Sequence, residues 1–482
     1  MEKNAQLTPY DEAINYLKIS PMFNLSLSSN ELFHSNFLYW IWQVNTECFK
    51  KIINSLIGEE NYWEDNWKDK KLEVRREYKN FDLSIVEVLD SAKKEEGGDN
   101  KVDKSTSESE NEPENGKYRT DGLILFVLEN KVKSIPYAQQ LLNYNKKIKN
   151  HNEEILKKEI LKKCQRKKWT KGLKDILDNR INNSTCKKIL LSLTDVYPDI
   201  NSDMWKSEGW EKRSYDDYLS FLKAVADSET ITCEEWDKYS NIFTDYREYV
   251  KNLITCIEKW DKFPKFNVEE TKFLDYPFLP TAEELRLHAL YSKYNYAKLC
   301  CILMQKLNAD NEIKCRKVQY IRKQDDIMLL TGHDPKKKSQ FNCYNDCFGD
   351  KGVLIGVGYD YTNMKPLLEV KVVKKTDEDD KLIYIIQVQG DKYEHGIIRR
   401  GAKNEVENFI TDKNNELPNG WVNTIKESSV FRASVNNAYN GYNDTYSMVY
   451  KYRSITDTAK TEDVINYMVE DVNQLLKGLD NK

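Results

Sequence analysis

The 482-residue sequence has no run of about 18 apolar residues, the length a helix needs to cross a bilayer. Its opening stretch, MEKNAQLTPYDEAINYLKIS, lacks the basic segment followed by an apolar one that marks an export signal. The expectation is a cytoplasmic chain with no membrane partner. Charge of one sign is also missing: 74 Lys and Arg stand against 78 Asp and Glu, a formal net charge of -4, so a polyanion partner would have to be met by a local patch. Ten cysteines at irregular spacings are too few for a disulfide framework, and reduced thiols are expected. His333 with Cys343 and Cys347 has a metal-like spacing but no second ligand pair, so ordinary Cys and His are expected there. The sequence contains no Gly-x-x-x-x-Gly-Lys-Ser/Thr, no His-Glu-x-x-His, no Gly-x-Ser-x-Gly and no internal repeat. A fused ATP-driven motor, a zinc peptidase and a serine hydrolase are disfavoured accordingly.

What the chain does have is material for a core. Its residues are 40% hydrophobic and 12% aromatic, with 30 Tyr and 10 Trp, far from the composition of a disordered chain. The length suits roughly two to four domains. In SLSSNELFHSNFLYWIWQ, Ser28 and Glu31 form a capping box before a buried helix expected to start near residue 29. KLEVRREYK (71–79) and FDLSIVEVL (81–89) read as strands, with Glu77 as an exposed strand residue. Residues 91–117 hold a single Val and are expected to be a disordered loop. GLILFVLENKVK follows as a nearly continuous apolar strand, the pattern of a central strand buried on both faces. The chain then turns helical and basic. KKILLSLTDVYPD (187–199) is another buried strand, RSYDDYLSFLKAV opens a helical region, and EELRLHALYSKYNYAKLCCILMQKL is its clearest amphipathic piece. From about residue 350, GVLIGVGYDY, PLLEVKVVKK, KLIYIIQVQ and SMVYKYRSI read as strands, with TDEDD as a hairpin turn. A terminal helix is expected to be capped at Thr461.

The anomaly is the polar end of the strand carrying Glu129 and Lys131. Alternation places both on one face, where a bland surface ion pair is the simplest account. If FDLSIVEV and GLILFVLE pair antiparallel, matching Leu89 with Gly122 also matches Asp82 with Glu129. Two adjacent carboxylates repel unless a cation sits between them. Mg²⁺ suits the position, because it takes few carboxylates and accepts phosphate oxygens. Lys131 would then orient a water or stabilise the charge that builds up on phosphorus. The combination implies phosphodiester hydrolysis. Asp121 competes for the first acidic role, but eight strand residues put it about 26 Å from Glu129, and it is expected to be a turn residue.

Asp82 followed by Glu129-Asn130-Lys131 resembles the Asp…(Asp/Glu)-x-Lys signature of the PD-(D/E)xK nuclease superfamily. QLLNY is similar to the Gln-x-x-x-Tyr motif of its RecB-like branches, with Gln140 and Tyr144 one helical turn apart. NELFHSNFLYWI resembles the first helix of a bacterial branch, often found in anti-phage defence or mobile-element settings, in which a Glu approaches the metal; Glu31 is the matching position. The likeness covers residues 28 to 215. Phe81 stands where the superfamily name has Pro, and the loop before Glu129 is longer than usual.

The resemblance implies an α/β, restriction-endonuclease-like core with a mixed β-sheet flanked by helices, over residues 1–215. A helical region (216–330) and a β-rich C-terminal domain with a terminal helix (340–482) are expected after it. It also implies a metal-dependent nuclease acting on DNA. Asp82, Glu129 and Glu31 would hold Mg²⁺, with Mn²⁺ able to substitute. Asp82, Glu129 and Lys131 would act with Gln140 and Tyr144 in support. Glu31 is explained as fully by its capping box, and His34, one turn on, by a satisfied core position. Lys146 to Lys174 contains twelve Lys and Arg against three acidic residues, a candidate phosphate-facing surface that also fits a solvated helix face. RNA cleavage, a non-cleaving sensor or scaffold that binds nucleic acid or a partner, a second copy of the chain and a separate activator protein stay open.

Overall fold

A computed structural model describes residues 7–29, 32–89, 122–132, 138–163, 172–175, 177, 186–193, 209–226, 234–260, 270–309, 341–347, 353–360, 365–375, 381–412, 425, 428–434, 436–442 and 446–480. Asp121, Glu31, His333 and the 91–117 stretch lie outside these residues.

The protein is α/β, with two separate sheets. The first has five strands in the order β1 (Leu72–Arg76), β2 (Leu83–Glu87), β3 (Leu123–Lys131), β4 (Lys187–Ser192) and β5 (Trp210–Ser214). The first three run antiparallel, and β4 and β5 are parallel to β3, so the sheet is mixed. Every residue of β3 is buried, as its apolar run requires of a central strand.

Helices cover both faces. On one lies α6 (Ala138–Lys163), over Val86, Ile124, Val127, Leu190 and Trp210. On the other lie α1 (Pro9–Ile19), α2 (Pro21–Ser29), α3 (Leu32–Val44), α4 (Thr46–Ile57), α5 (Tyr62–Asn66), α7 (Tyr215–Ala226) and α8 (Glu234–Trp260), whose apolar residues share one core with Ile85, Phe126, Leu128 and Ile189. Ser28 falls inside α2 rather than ahead of α3, so the expected cap of α3 is not at that residue.

β2 and β3 pair as expected near the polar end, with Leu83 opposite Leu128 and Ile85 opposite Phe126. A β-bulge then shifts the register, so that Val86 faces Ile124 and Glu87 faces Leu123. The bulge explains why Leu125 and Phe126, adjacent in sequence, enter the same core while Ile124 and Val127 face α6. The match of Leu89 with Gly122 is therefore one residue off, while the match at the polar end holds. β4 begins only opposite Phe126, and Asn152 of α6 takes both backbone groups of Ile124, accepting from its N–H and donating to its C=O, each at 2.9 Å.

After α9 (Leu279–Glu284) and α10 (His288–Ala309), a seven-stranded antiparallel sheet follows. Its order is β11 (Asn436–Tyr442), β12 (Tyr446–Ser454), β10 (Lys392–Arg400), β9 (Lys381–Gln389), β8 (Lys365–Lys375), β7 (Val353–Asp360) and β6 (Phe341–Cys347). α10 and α12 (Thr461–Asp480) pack on one face, and α11 (Lys403–Asp412) contacts β12. α12 starts at Thr461, but the Thr461 hydroxyl is buried without a hydrogen-bond partner among the described residues. Its backbone N–H donates to Thr271 O at 2.7 Å instead, so the expected side-chain cap is absent. Among the described residues no helix is long and apolar enough to cross a membrane.

Candidate active site

The polar ends of β2 and β3 meet where α6 begins. Glu129 and Lys131 project toward α6 with Val127, on the face that strand alternation gives them. Glu129 is 2% exposed and Lys131 7% exposed, so neither is a bland surface residue. The Lys131 Nζ lies 2.7 Å from Glu129 Oε1.

α6 delivers two more donors to the same oxygen. Gln140 Nε2 donates to Glu129 Oε1 at 2.9 Å and to the Tyr144 hydroxyl at 2.9 Å, and that hydroxyl donates to Glu129 Oε1 at 3.4 Å. The four-residue spacing of Gln140 and Tyr144 stacks them on one helix face, which is why both reach a single carboxylate. Burial first, and the Glu129 charge second, push the Tyr144 hydroxyl well above its ordinary range. Tyr144 is therefore a neutral O–H donor at physiological pH. The Phe81 ring packs edge-on against Tyr144 at 5.1 Å and so braces the tyrosine.

Asp82 immediately precedes β2, at the register position facing Glu129. Its Oδ2 accepts the backbone N–H of Asn130 at 2.6 Å. Asn130 is held from the other side as well, its Oδ1 accepting the Tyr215 hydroxyl at 2.5 Å. The middle residue of Glu-x-Lys is thus pinned through backbone and side chain, and this fixes the strand carrying its two charged neighbours. Sequence inspection passed over Asn130, although a buried amide on the core-facing side of an apolar strand was a visible signal.

His34 lies on the far side of the sheet, away from α6. It is 1% exposed, its Nδ1 sits 2.7 Å from the Tyr246 hydroxyl, and its ring stacks on Tyr249 at 5.7 Å. It is a satisfied core histidine. Glu77 is not a strand residue: it adopts φ 50° at the start of a one-turn 3-10 helix, Tyr78–Asn80, that links β1 to β2. The basic region begins on α6, where Lys158 pairs with Glu154 at 2.6 Å and Lys149 with Glu153 at 3.9 Å, ordinary i,i+4 surface pairs.

The donor set suits a hard divalent cation, since Asp82 and Glu129 offer carboxylate oxygens from neighbouring strands. Among the described residues no three His, Cys, Asp or Glu side chains gather into a metal-binding group. Glu31, the third carboxylate expected, is outside them.

A second Glu-x-Lys, Glu369-Val370-Lys371, lies on buried β8, with Lys371 Nζ 2.8 Å from Glu369 Oε1. Gln387 stands opposite Glu369 and Glu394 opposite Gln387, so no carboxylate adjoins it directly and no Gln-x-x-x-Tyr helix follows it. The pair on β8 shows that Glu-x-Lys alone does not define a site; Asp82, Gln140 and Tyr144 distinguish the one on β3. No family model, curated protein or solved structure matches the chain.

Proposed function

We propose that the protein is a metal-dependent nuclease that hydrolyses DNA phosphodiester bonds on a restriction-endonuclease-like core. The observation that carries this reading is the convergence of Lys131, Gln140 and Tyr144 on one buried oxygen of Glu129, with Asp82 anchored beside it. A purely structural ion pair needs no tyrosine and amide brought in from a helix. Asp82 and Glu129 would hold Mg²⁺ or Mn²⁺, with Glu31 as a further ligand, and the ion would supply charge neutralisation at phosphate and a water of lowered pKa.

The chain's own residues do the rest. Lys131 places a cationic donor where negative charge develops on the phosphoryl oxygens. Gln140 and Tyr144 hold the Glu129 carboxylate in a single orientation, and Asp82 fixes Asn130 and hence the strand end. Basic residues of α6 contact backbone phosphates without reading sequence. A separate activator protein belongs to the same proposal.

The test is incubation with supercoiled, linear and single-stranded DNA, and with RNA, in Mg²⁺, Mn²⁺ or EDTA, beside Lys131→Ala. Metal-dependent cutting that disappears in the variant supports the reading. Normal cutting by Lys131→Ala refutes the assignment of the site. RNA-only cutting changes the substrate but keeps the mechanism, and binding without cutting in any condition favours a sensor or scaffold.

A further inference from the structure

The link between β1 and β2 is strained, and what it displays is a lysine. Glu77, Lys79 and Asn80 have φ of 50°, 56° and 65°, the left-handed region that L residues other than Gly and Asn rarely occupy. Backbone of this kind persists only where the surrounding structure holds it in place. The segment runs straight into Phe81 and Asp82.

Two lysines stand over neighbouring aromatic rings of one cluster. The Lys79 Nζ lies 5.7 Å from the centre of the Tyr78 ring, and the Lys147 Nζ lies 5.8 Å from the centre of Phe81. Lys147 follows Tyr144 by one turn of α6, so Gln140, Tyr144 and Lys147 lie along one helix face. Both lysines are half-buried, and among the described residues neither is paired with a carboxylate. Partial burial first, and the nearby Lys79 charge second, lower the pKa of the Lys147 ammonium. Two like charges brought together without a counter-ion form a place for an anion.

We propose that Lys79 and Lys147 form a phosphate-binding pair that seats the nucleic-acid backbone beside the Glu129 carboxylate. Contacts run from Glu129 through Tyr144 and Phe81 to Lys147, so the seated phosphate neighbours the one to be cleaved. The pair rests on the nuclease reading for its ligand, but its contact with phosphate is measurable without cleavage. It also gives Phe81 a second role, as the ring that braces Tyr144 and carries the ammonium.

The experiment is binding of a labelled DNA duplex in EDTA across about 50 to 200 mM salt. Wild type is compared with Lys79→Gly, Lys147→Gln, the double variant of these and Lys79→Arg/Lys147→Arg. Glycine at 79 relieves the left-handed backbone, so that variant is expected to fold at least as well as wild type. Each phosphate no longer neutralised by an ammonium lowers the slope of log affinity against log salt by about 0.9, so the double variant should show a slope shallower by roughly 0.9 to 1.8. The arginine double should keep the wild-type slope. An unchanged slope in the double variant, or no duplex binding by wild type, overturns the proposal. Because no cleavage is needed, a wild type that shows the slope change but cuts neither DNA nor RNA leaves the phosphate pair standing and withdraws support from the nuclease reading alone.

Discussion

Glu394→Gln should stabilise the protein at alkaline pH and do so much less at acid pH. Glu394 lies on β10 with no exposed surface, and burial pushes its carboxyl from an ordinary 4.5 up to about 7. Opposing that rise are the Gln387 amide, which donates to Oε2, and the Lys392 and Lys365 charges, while the Glu369 charge adds to it. Oε1 has no hydrogen-bond partner among the described residues. The folded protein therefore holds a proton on Glu394 between pH 4.5 and about 7 that the unfolded chain has lost.

Stability must fall as pH rises through that window, since the native state binds more protons there. The fall amounts to at most ~3 kcal/mol, at ~1.4 kcal/mol for each tenfold in proton affinity. Glutamine has the same shape and does not titrate, so it removes the penalty. Urea unfolding of wild type and variant at about pH 5 and pH 8.5 measures the difference directly. The gain should approach ~3 kcal/mol at the higher pH and shrink to ~0.8 kcal/mol at the lower. A difference that does not change with pH, or a variant less stable at pH 8.5, would refute a carboxyl kept neutral by burial.

Tyr144→Phe removes one donor to Glu129 while keeping the ring against Phe81, so kcat for DNA cleavage should fall roughly tenfold with KM little changed, the size expected for ~1.4 kcal/mol of transition-state stabilisation. An equal loss in thermal stability and activity would mean that the hydroxyl only supports the fold. Asn152→Ala strips Ile124 of both its side-chain partners and should cost about 1 to 3 kcal/mol in denaturant unfolding; a cost near zero would show that water replaces the amide. His34→Ala opens a gap among Tyr215, Tyr246 and Tyr249 and should cost about 2 to 5 kcal/mol, comparable with other large-to-small core changes. The specific activity of the folded fraction should be unaltered, and a selective loss of kcat would place His34 in the chemistry.

The central strand was legible because nine consecutive buried residues require an apolar run, and β3 has one up to its polar end. Gln140 and Tyr144 were singled out by the likeness of QLLNY to a known motif, and their four-residue spacing gave only that they share a helix face. The bulge in β3 was not, since a run apolar on both faces carries no alternation to break. Neither was β5, whose sequence Trp-Glu-Lys-Arg-Ser is mostly polar because the strand lies at the sheet edge. β10 escaped for the opposite reason, as Lys-Tyr-Glu-His looks exposed while Glu394 and His395 are wholly buried. There His395 Nε2 and the Tyr393 hydroxyl both reach Asp471 Oδ2 on α12, at 2.7 and 2.6 Å, a clamp spanning some seventy-five residues of sequence that no local pattern reveals. Lys79 stayed hidden because positive φ leaves no trace in a residue type that rarely adopts it.

The chain leaves β2 after Glu87 and re-enters the sheet at Leu123, whereas Asp82 and Glu129 stand at the other end of the same strand pair. Five to six residues at about 3.3 Å each separate the two ends by nearly 20 Å. Whatever length of sequence joins β2 to β3, the carboxylates are placed by the ladder between them. An engineer splicing a fluorescent reporter into that junction would insert it at the end of the ladder opposite Asp82 and Glu129.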